Sequence, residues 1–247
     1  MNAVSLSLLS VAAVSVISLI GALTISVVGD RGTKSPLIIL FISLAIGALI
    51  GDVFIHLLPE AYEYFGQSTA TYVLLGFFLF FLLEKVLHWR HRHKQSDSTK
   101  IEPYGIMNLV GDAMHNFIDG ALIAASYLVS LPVGLATTIA VILHEIPQEL
   151  GDYAILRESG FTKKAALGLN FLSALIAFLG AAIVLVFRFD IEALSQYVLA
   201  FTAGGFVYIV FILIKEFGDE IKPKNAFTYL FGIALGVALM WLITFVE

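Results

Sequence analysis

No cysteine occurs in the 247 residues. Disulfides and thiolate metal ligands are therefore excluded, and the redox compartment is left open. Charge is scarce too. Asp, Glu, Lys and Arg make up 13% of the chain, against about a quarter in an average soluble domain. No basic stretch or cleavage signal precedes the apolar run at Val4–Val28, which reads as a permanent span rather than a removable leader. No polar region is long enough for a large extramembrane domain, so any activity is expected inside the membrane or in short loops.

What remains is apolar. Hydrophobic residues make up 59% of the chain, more than a soluble fold of this size can hide, so the natural solvent is a bilayer. A spanning helix needs about 20 mainly apolar residues. Eight segments qualify, at 5–28, 37–58, 70–89, 104–128, 132–156, 165–187, 193–214 and 225–246. The expected fold is an all-α integral membrane protein with residues 1–247 as one domain. A polar cytoplasmic loop at about 88–103 separates three helices from five.

Basic residues support this count. The odd-numbered loops and their flanks hold Arg31 and Lys34, then Lys85, Arg90, Arg92, Lys94 and Lys100, then Arg157, Lys163 and Lys164, then Lys215, Lys222 and Lys224. Only Arg188 falls on the other side. Lys and Arg are enriched in cytoplasmic loops, so both termini are expected outside.

The expensive residues lie inside the spans. Segment two holds Asp52 and His56, one turn apart. Segment four holds Asp112, His115, Asn116 and Asp119 on one helix face, with Asn108 one turn earlier. Segment five holds His144, Glu145, Gln148, Glu149 and Asp152. Each mid-bilayer carboxylate costs about 2.5–3.5 kcal/mol, so the six together cost roughly 15–20 kcal/mol. No Lys or Arg sits mid-span to neutralise them. A lone His or Asn in a membrane helix is commonly interhelical glue. Glue needs donors matched to acceptors, and here acceptors dominate. Either some carboxylates are protonated or cations bind, and the histidines among them favour zinc or its neighbours. For Asp52 and His56, a metal path and a packing pair both stand. Pro147 frees a carbonyl near Leu143 and is expected to shape the site by a kink. Glu84, beside Lys85, reads as a solvated edge residue. The tract His88, His91 and His93 reads as a basic membrane anchor with Trp89 rather than a metal trap. Gly204–Gly205 and Gly232/Gly236 read as close helix packing.

HNFIDG at 115–120 and HEIPQELGD at 144–152 resemble the signatures of helices four and five in the ZIP (Zrt-/Irt-like protein) family of metal transporters. GDVFIHLLPEA in segment two is similar to the subfamily marked by HExPHE. The resemblance implies a binuclear centre between helices four and five. One ion would use His115, Asp119, His144 and Gln148; the other would use Asn116, Asp119, Glu145 and Gln148, with Asp119 bridging and Asn170 completing the second site. Asp112, Glu149, Asp152, Asp52 and His56 would be stepping stones. The resemblance further implies inverted repeats of helices 1–3 and 6–8, and sliding of helices one, four, five and six against a dimerising scaffold, hence a homodimer. The cargo would be zinc, or iron, manganese or cadmium, moved into the cytoplasm, with no resident cofactor and no nucleic-acid partner. Gln148 departs from the family's His or Glu, and a neutral amide is the weaker ligand. The absence of a large extracellular domain suggests a prokaryotic inner membrane. Two rivals are an intramembrane zinc-dependent hydrolase, disfavoured by HExxQE in place of HExxH, and a non-transporting metal receptor.

Overall fold

The computed structural model describes residues 2–28, 36–93, 101–187, 192–218 and 225–245, and among them no strand occurs. Hydrocarbon offers no hydrogen-bond partners, so apolar segments must satisfy their backbone groups internally, which a helix does. The order is α1 (Ala3–Val28), α2 (Pro36–Gly51), a π-helical turn (Asp52–Leu57), α3 (Leu58–Phe65), a 3-10 turn (Gly66–Ser68), α4 (Thr69–His93), α5 (Pro103–Val129), α6 (Leu131–Glu158), α7 (Lys163–Ala174), α8 (Ile176–Phe187), α9 (Glu192–Gly218) and α10 (Ala226–Ile243). Each expected segment falls on one helix or on two helices joined nearly end to end.

Among the described residues, five helical stretches are long and apolar enough to cross a membrane. The longest, Ile38–Trp89, has 52 residues. As one rod it would extend about 78 Å, more than twice the hydrocarbon core of about 30 Å. It turns back at Gly66, whose φ of 55° suits a residue without Cβ. Thr69 Oγ1 donates to the carbonyls of Ala61 and Gly66, at 3.0 and 2.8 Å, capping the end of α3.

Two further departures from straight helices have local causes. Pro59 stands in the first turn of α3. Its ring conflicts with the carbonyl four residues back, and just there the chain widens into the π turn, where Leu58 N–H bonds to Val53 O. Between α7 and α8, Ser15 Oγ donates to Ala174 O at 3.1 Å. Phe178 N–H, which would otherwise take that carbonyl, bonds to Leu175 O instead. A side chain inserted into the ladder is a recognised cause of a break. The kink expected at Pro147 is not a break, because α6 runs continuously through it.

Glycines let three helix pairs approach closely: α2 with α10, α4 with α9, and α5 with α8. A Cβ on Gly47 would lie 2.1 Å from Ile233 O, on Gly204 1.9 Å from Val73 O, and on Gly120 1.8 Å from Ala177 O. Gly232 and Gly236 press on Ser43 and Leu44 in the same way, as their spacing suggests. A core of Ile46, Phe80, Phe206, Ile209 and Leu213 fills the space among α2, α4 and α9. The outer face of α4 leaves Leu75, Phe78, Leu82, Val86 and Trp89 exposed, as suits contact with lipid.

Glu84 departs from its expected solvated place. It is buried and accepts hydrogen bonds from Tyr208 Oη and Lys85 Nζ, each at 2.8 Å. Arg31, Lys34, Lys94, Lys100, Arg188, Lys222 and Lys224, and the side chains of Arg90, His91, Arg92 and His93, lie outside the described residues.

Candidate metal centre

A single residue, Ser130, joins α5 to α6. Its Oγ accepts from Val133 N–H at 3.3 Å, and Pro132 occupies the first turn of α6, where no N–H is required. So short a link makes the two helices antiparallel neighbours, and residues equally far from Ser130 lie at equal depth. His115 and His144 stand 15 and 14 residues away, Asn108 and Asp152 both 22. At 1.5 Å per residue the two histidines lie about 21–22 Å from the turn.

The packing follows this register. The rings of His115 and His144 have centroids 5.2 Å apart. Asp119 Oδ2 lies 3.1 Å from His144 Nε2 and 3.6 Å from His115 Nε2. Glu145 Oε1 lies 3.8 Å from His115 Nε2. One ligand atom from each of these four residues falls within 4.8 Å of all the others, and all four residues are buried. Tetrahedral bonds of about 2.0–2.1 Å would hold neighbouring ligands about 3.4 Å apart, and the three measured separations bracket that value. Neither ring nitrogen of His115 has a hydrogen-bond partner. Lys85 pairs with Glu84 and Lys215 with Glu216, both away from the cluster. The donor set, two imidazoles and two carboxylates, fits a divalent transition metal.

The π turn brings a third element into the centre. Asp52 is buried, with Oδ1 3.3 Å from His56 Nδ1 and Oδ2 3.8 Å from His115 Nδ1. Asp52 and His56 are thus a packed polar pair that also touches His115.

Of the other expected residues, Asp112, Gln148, Glu149 and Asp152 lie nearer the Glu158 end of α6, and Asn116 lies level with His144. Gln148 is buried, and its Oε1 has no hydrogen-bond partner. Three carboxylates are each held by an amide. Asn116 Nδ2 donates to Asp112 Oδ1 at 2.8 Å, Asn108 Nδ2 to Asp152 Oδ1 at 2.8 Å, and Asn170 Nδ2 to Glu149 Oε2. Asp112, Glu149, Asp152, Asn116 and Asn170 thus form polar pairs beside the four-residue cluster.

A cavity of about 330 Å³ reaches the cluster from the side of the Ser130 turn. His144 and Asp119 form part of its wall, with Ser126 and Thr137 nearer the turn. His56 and Glu60 line it as well. Glu60 was not among the residues expected from the sequence, nor was Gln196, whose Nε2 donates to Glu60 Oε1 at 2.8 Å. A carboxylate at i+8 from Asp52 was the available signal for Glu60; nothing in the sequence pointed to Gln196.

A polar cluster of this kind, buried among apolar helices, marks a helical membrane protein with side chains that could hold a cation. The ZIP Zinc transporter family profile matches residues 2–104 and 90–244, so the chain belongs to that family. Members are transporters rather than enzymes, which sets the hydrolase reading aside. Zinc transporter ZIP13 of Pongo abelii is 35% identical over 216 residues, covering 81% of this chain and 64% of that protein. The protein of the same name in Mus musculus is 33% identical over 252 residues, covering 83% and 70%. That of Danio rerio is 31% identical over 260 residues, covering 82% and 75%. The chain thus spans roughly two thirds to three quarters of these relatives' own lengths. All three are animal proteins, so they lend no support to a prokaryotic inner membrane.

Proposed function

We propose that this chain carries divalent transition-metal ions across a membrane, zinc foremost, with the ion held between α5 and α6. The observation that carries this reading is the spacing of His115, Asp119, His144 and Glu145 about one point. The relatives' name, zinc transporter, supports the cargo.

In this reading the chain crosses eight times with both termini outside, which the basic odd-numbered loops support. The cavity on the Ser130 side then opens outward. Uptake into the cytoplasm runs from that cavity through the cluster to the amide-held carboxylates, which are the stepping stones on the inner side. Inverted repeats of helices 1–3 and 6–8 are supported by the pairing pattern. The contact of α2 with α10 has its counterpart in α9 with α4, and that of α5 with α8 in α6 with α1. Such a pseudo-twofold suits alternating access, here by sliding of the helices that hold the site against a scaffold that pairs with a second copy of the chain.

Two ions fit the donor set. The first takes His115, Asp119, His144 and Gln148. The second takes Asn116, Glu145 and Gln148, shares Asp119, and recruits Asn170 once it releases Glu149. Gln148 supplies a neutral oxygen to both, which weakens the hold on each and eases release. Iron, manganese and cadmium use the same donor types, so the cargo is settled by competition.

The test is uptake by the purified chain in liposomes loaded with a zinc-sensitive dye. Zinc entry is expected, reduced by competing cadmium, iron(II) or manganese, and lost in His144→Ala. Equal entry in wild type and in a variant lacking both His115 and His144 would refute the reading.

A further inference from the structure

One polar group near the cluster is left over from the site described above. Glu60 stands on α3, two turns beyond Asp52 and one beyond His56, and the π turn places the three along one line. His56 lies between two carboxylates. Its Nδ1 is 3.3 Å from Asp52 on the buried side, and its Nε2 is 3.6 Å from Glu60 Oε2 on the cavity side. Both His56 and Glu60 line the cavity and keep part of their surface open, 26% and 32% of the side chain. Gln196 reaches the same carboxylate from α9. It is buried, and its Oε1 has no hydrogen-bond partner although its nitrogen is engaged by Glu60. A buried acceptor without a donor is costly, and a cation beside Glu60 would remove that cost by drawing the amide oxygen toward itself.

We propose that His56 Nε2, the Glu60 carboxylate and the Gln196 amide form a capture site for a partly hydrated divalent transition-metal ion in the cavity wall, one step outside the transport site. The separation of 3.6 Å between His56 Nε2 and Glu60 Oε2 matches neighbouring ligands on one such ion. Three protein donors leave coordination positions for water, which the cavity supplies. An ion on its way in must be held firmly enough to shed part of its hydration and loosely enough to leave, and a site with one imidazole, one carboxylate and one amide meets both needs. The next imidazole inward, His144, has its ring centroid 6.2 Å from that of His56, a single handover away.

This inference rests on the transport reading but is tested apart from it. In purified chain carrying His115→Ala, Asp119→Ala, His144→Ala and Glu145→Ala, which strips ligands from both ions of the transport site, zinc binding measured by titration calorimetry is expected to retain one site. Adding Glu60→Gln, which keeps the shape, is expected to abolish that site, and Gln196→Leu to weaken it about tenfold or more. As a second measurement, Glu60→Gln alone should remove one zinc from the stoichiometry of the otherwise intact chain. In liposomes, Glu60→Gln should raise the half-saturating zinc concentration about tenfold, with a maximal rate within about twofold of wild type. No zinc bound in the fourfold substituted chain, together with an unchanged stoichiometry in Glu60→Gln, would overturn the capture site. Failure of wild-type chain to move zinc, with the residual site still present, would overturn the transport reading and leave the capture site standing.

Discussion

Gly120 follows the proposed ligand Asp119 directly, where α5 presses on α8. A Cβ there would meet Ala177 O at 1.8 Å, Ala177 C at 2.5 Å and Ala177 Cα at 2.7 Å. All three are backbone atoms, so no side-chain rotation can relieve the clash. An ordinary contact is beyond about 3.4 Å, so Gly120→Ala must push the helices apart by more than about 1 Å, in a tightly packed interior that resists it. Overpacking of this kind costs about 1–3 kcal/mol or more; with only backbone to yield, about 3 kcal/mol is expected. For a chain of this size that is a fall in Tm of roughly 6–12 °C. The displacement also carries Asp119 away from His144, from which it is now 3.1 Å distant, so zinc affinity should fall along with stability. Gly168 is the control, because a Cβ there meets nothing within 4 Å. Gly168→Ala should be neutral or should stabilise by up to about 1 kcal/mol. Thermal unfolding followed by Trp fluorescence in detergent, with zinc uptake in liposomes, reads both effects. If Gly120→Ala melts and transports like wild type while Gly168→Ala does not stabilise, the close approach of α5 and α8 is not what holds the site.

Other substitutions address the chemistry more directly. Gln148→His exchanges a neutral oxygen for an imidazole, and zinc should bind at least about tenfold more tightly and leave more slowly, read as a lower half-saturating concentration with a lower maximal rate. Tyr208→Phe removes the hydroxyl that donates to buried Glu84 at 2.8 Å, so unfolding free energy should drop by about 1–2 kcal/mol, with metal affinity unchanged. Zinc affinity measured by calorimetry should fall by more than about tenfold in His115→Ala and in His144→Ala; unchanged affinity in both variants would mean that neither imidazole is a ligand.

Much of this arrangement was written in the order of residues. Apolar length located the helices, because a bilayer leaves the backbone few other choices. The four-residue cluster was legible because His115 and Asp119 share a face of one helix, His144 and Glu145 follow on the next, and no Lys or Arg lies in the middle of either. What escaped depended on contacts between elements far apart in the chain. Gln196 meets Glu60 across 136 residues, and no periodicity signals such a pairing. Glu84 looked solvated beside Lys85, yet Tyr208, 124 residues on, folds over it. The π turn escaped for a different reason. Pro59 was visible, but whether a helix answers a proline by ending, kinking or widening depends on what packs around it.

The one-residue link at Ser130 has a consequence for how this chain can vary. With so little slack, the 29 residue steps from His115 to His144 act as a ruler folded at its midpoint. One residue inserted in either arm shifts everything between it and the fold by about 1.5 Å and turns it by about 100°. A ligand displaced in this way would face lipid or a neighbouring helix instead of its partner. Apolar residues along these arms can be exchanged for one another with little effect, but their number cannot change. In this stretch of the protein length itself is a functional property, open to substitution and closed to insertion and deletion.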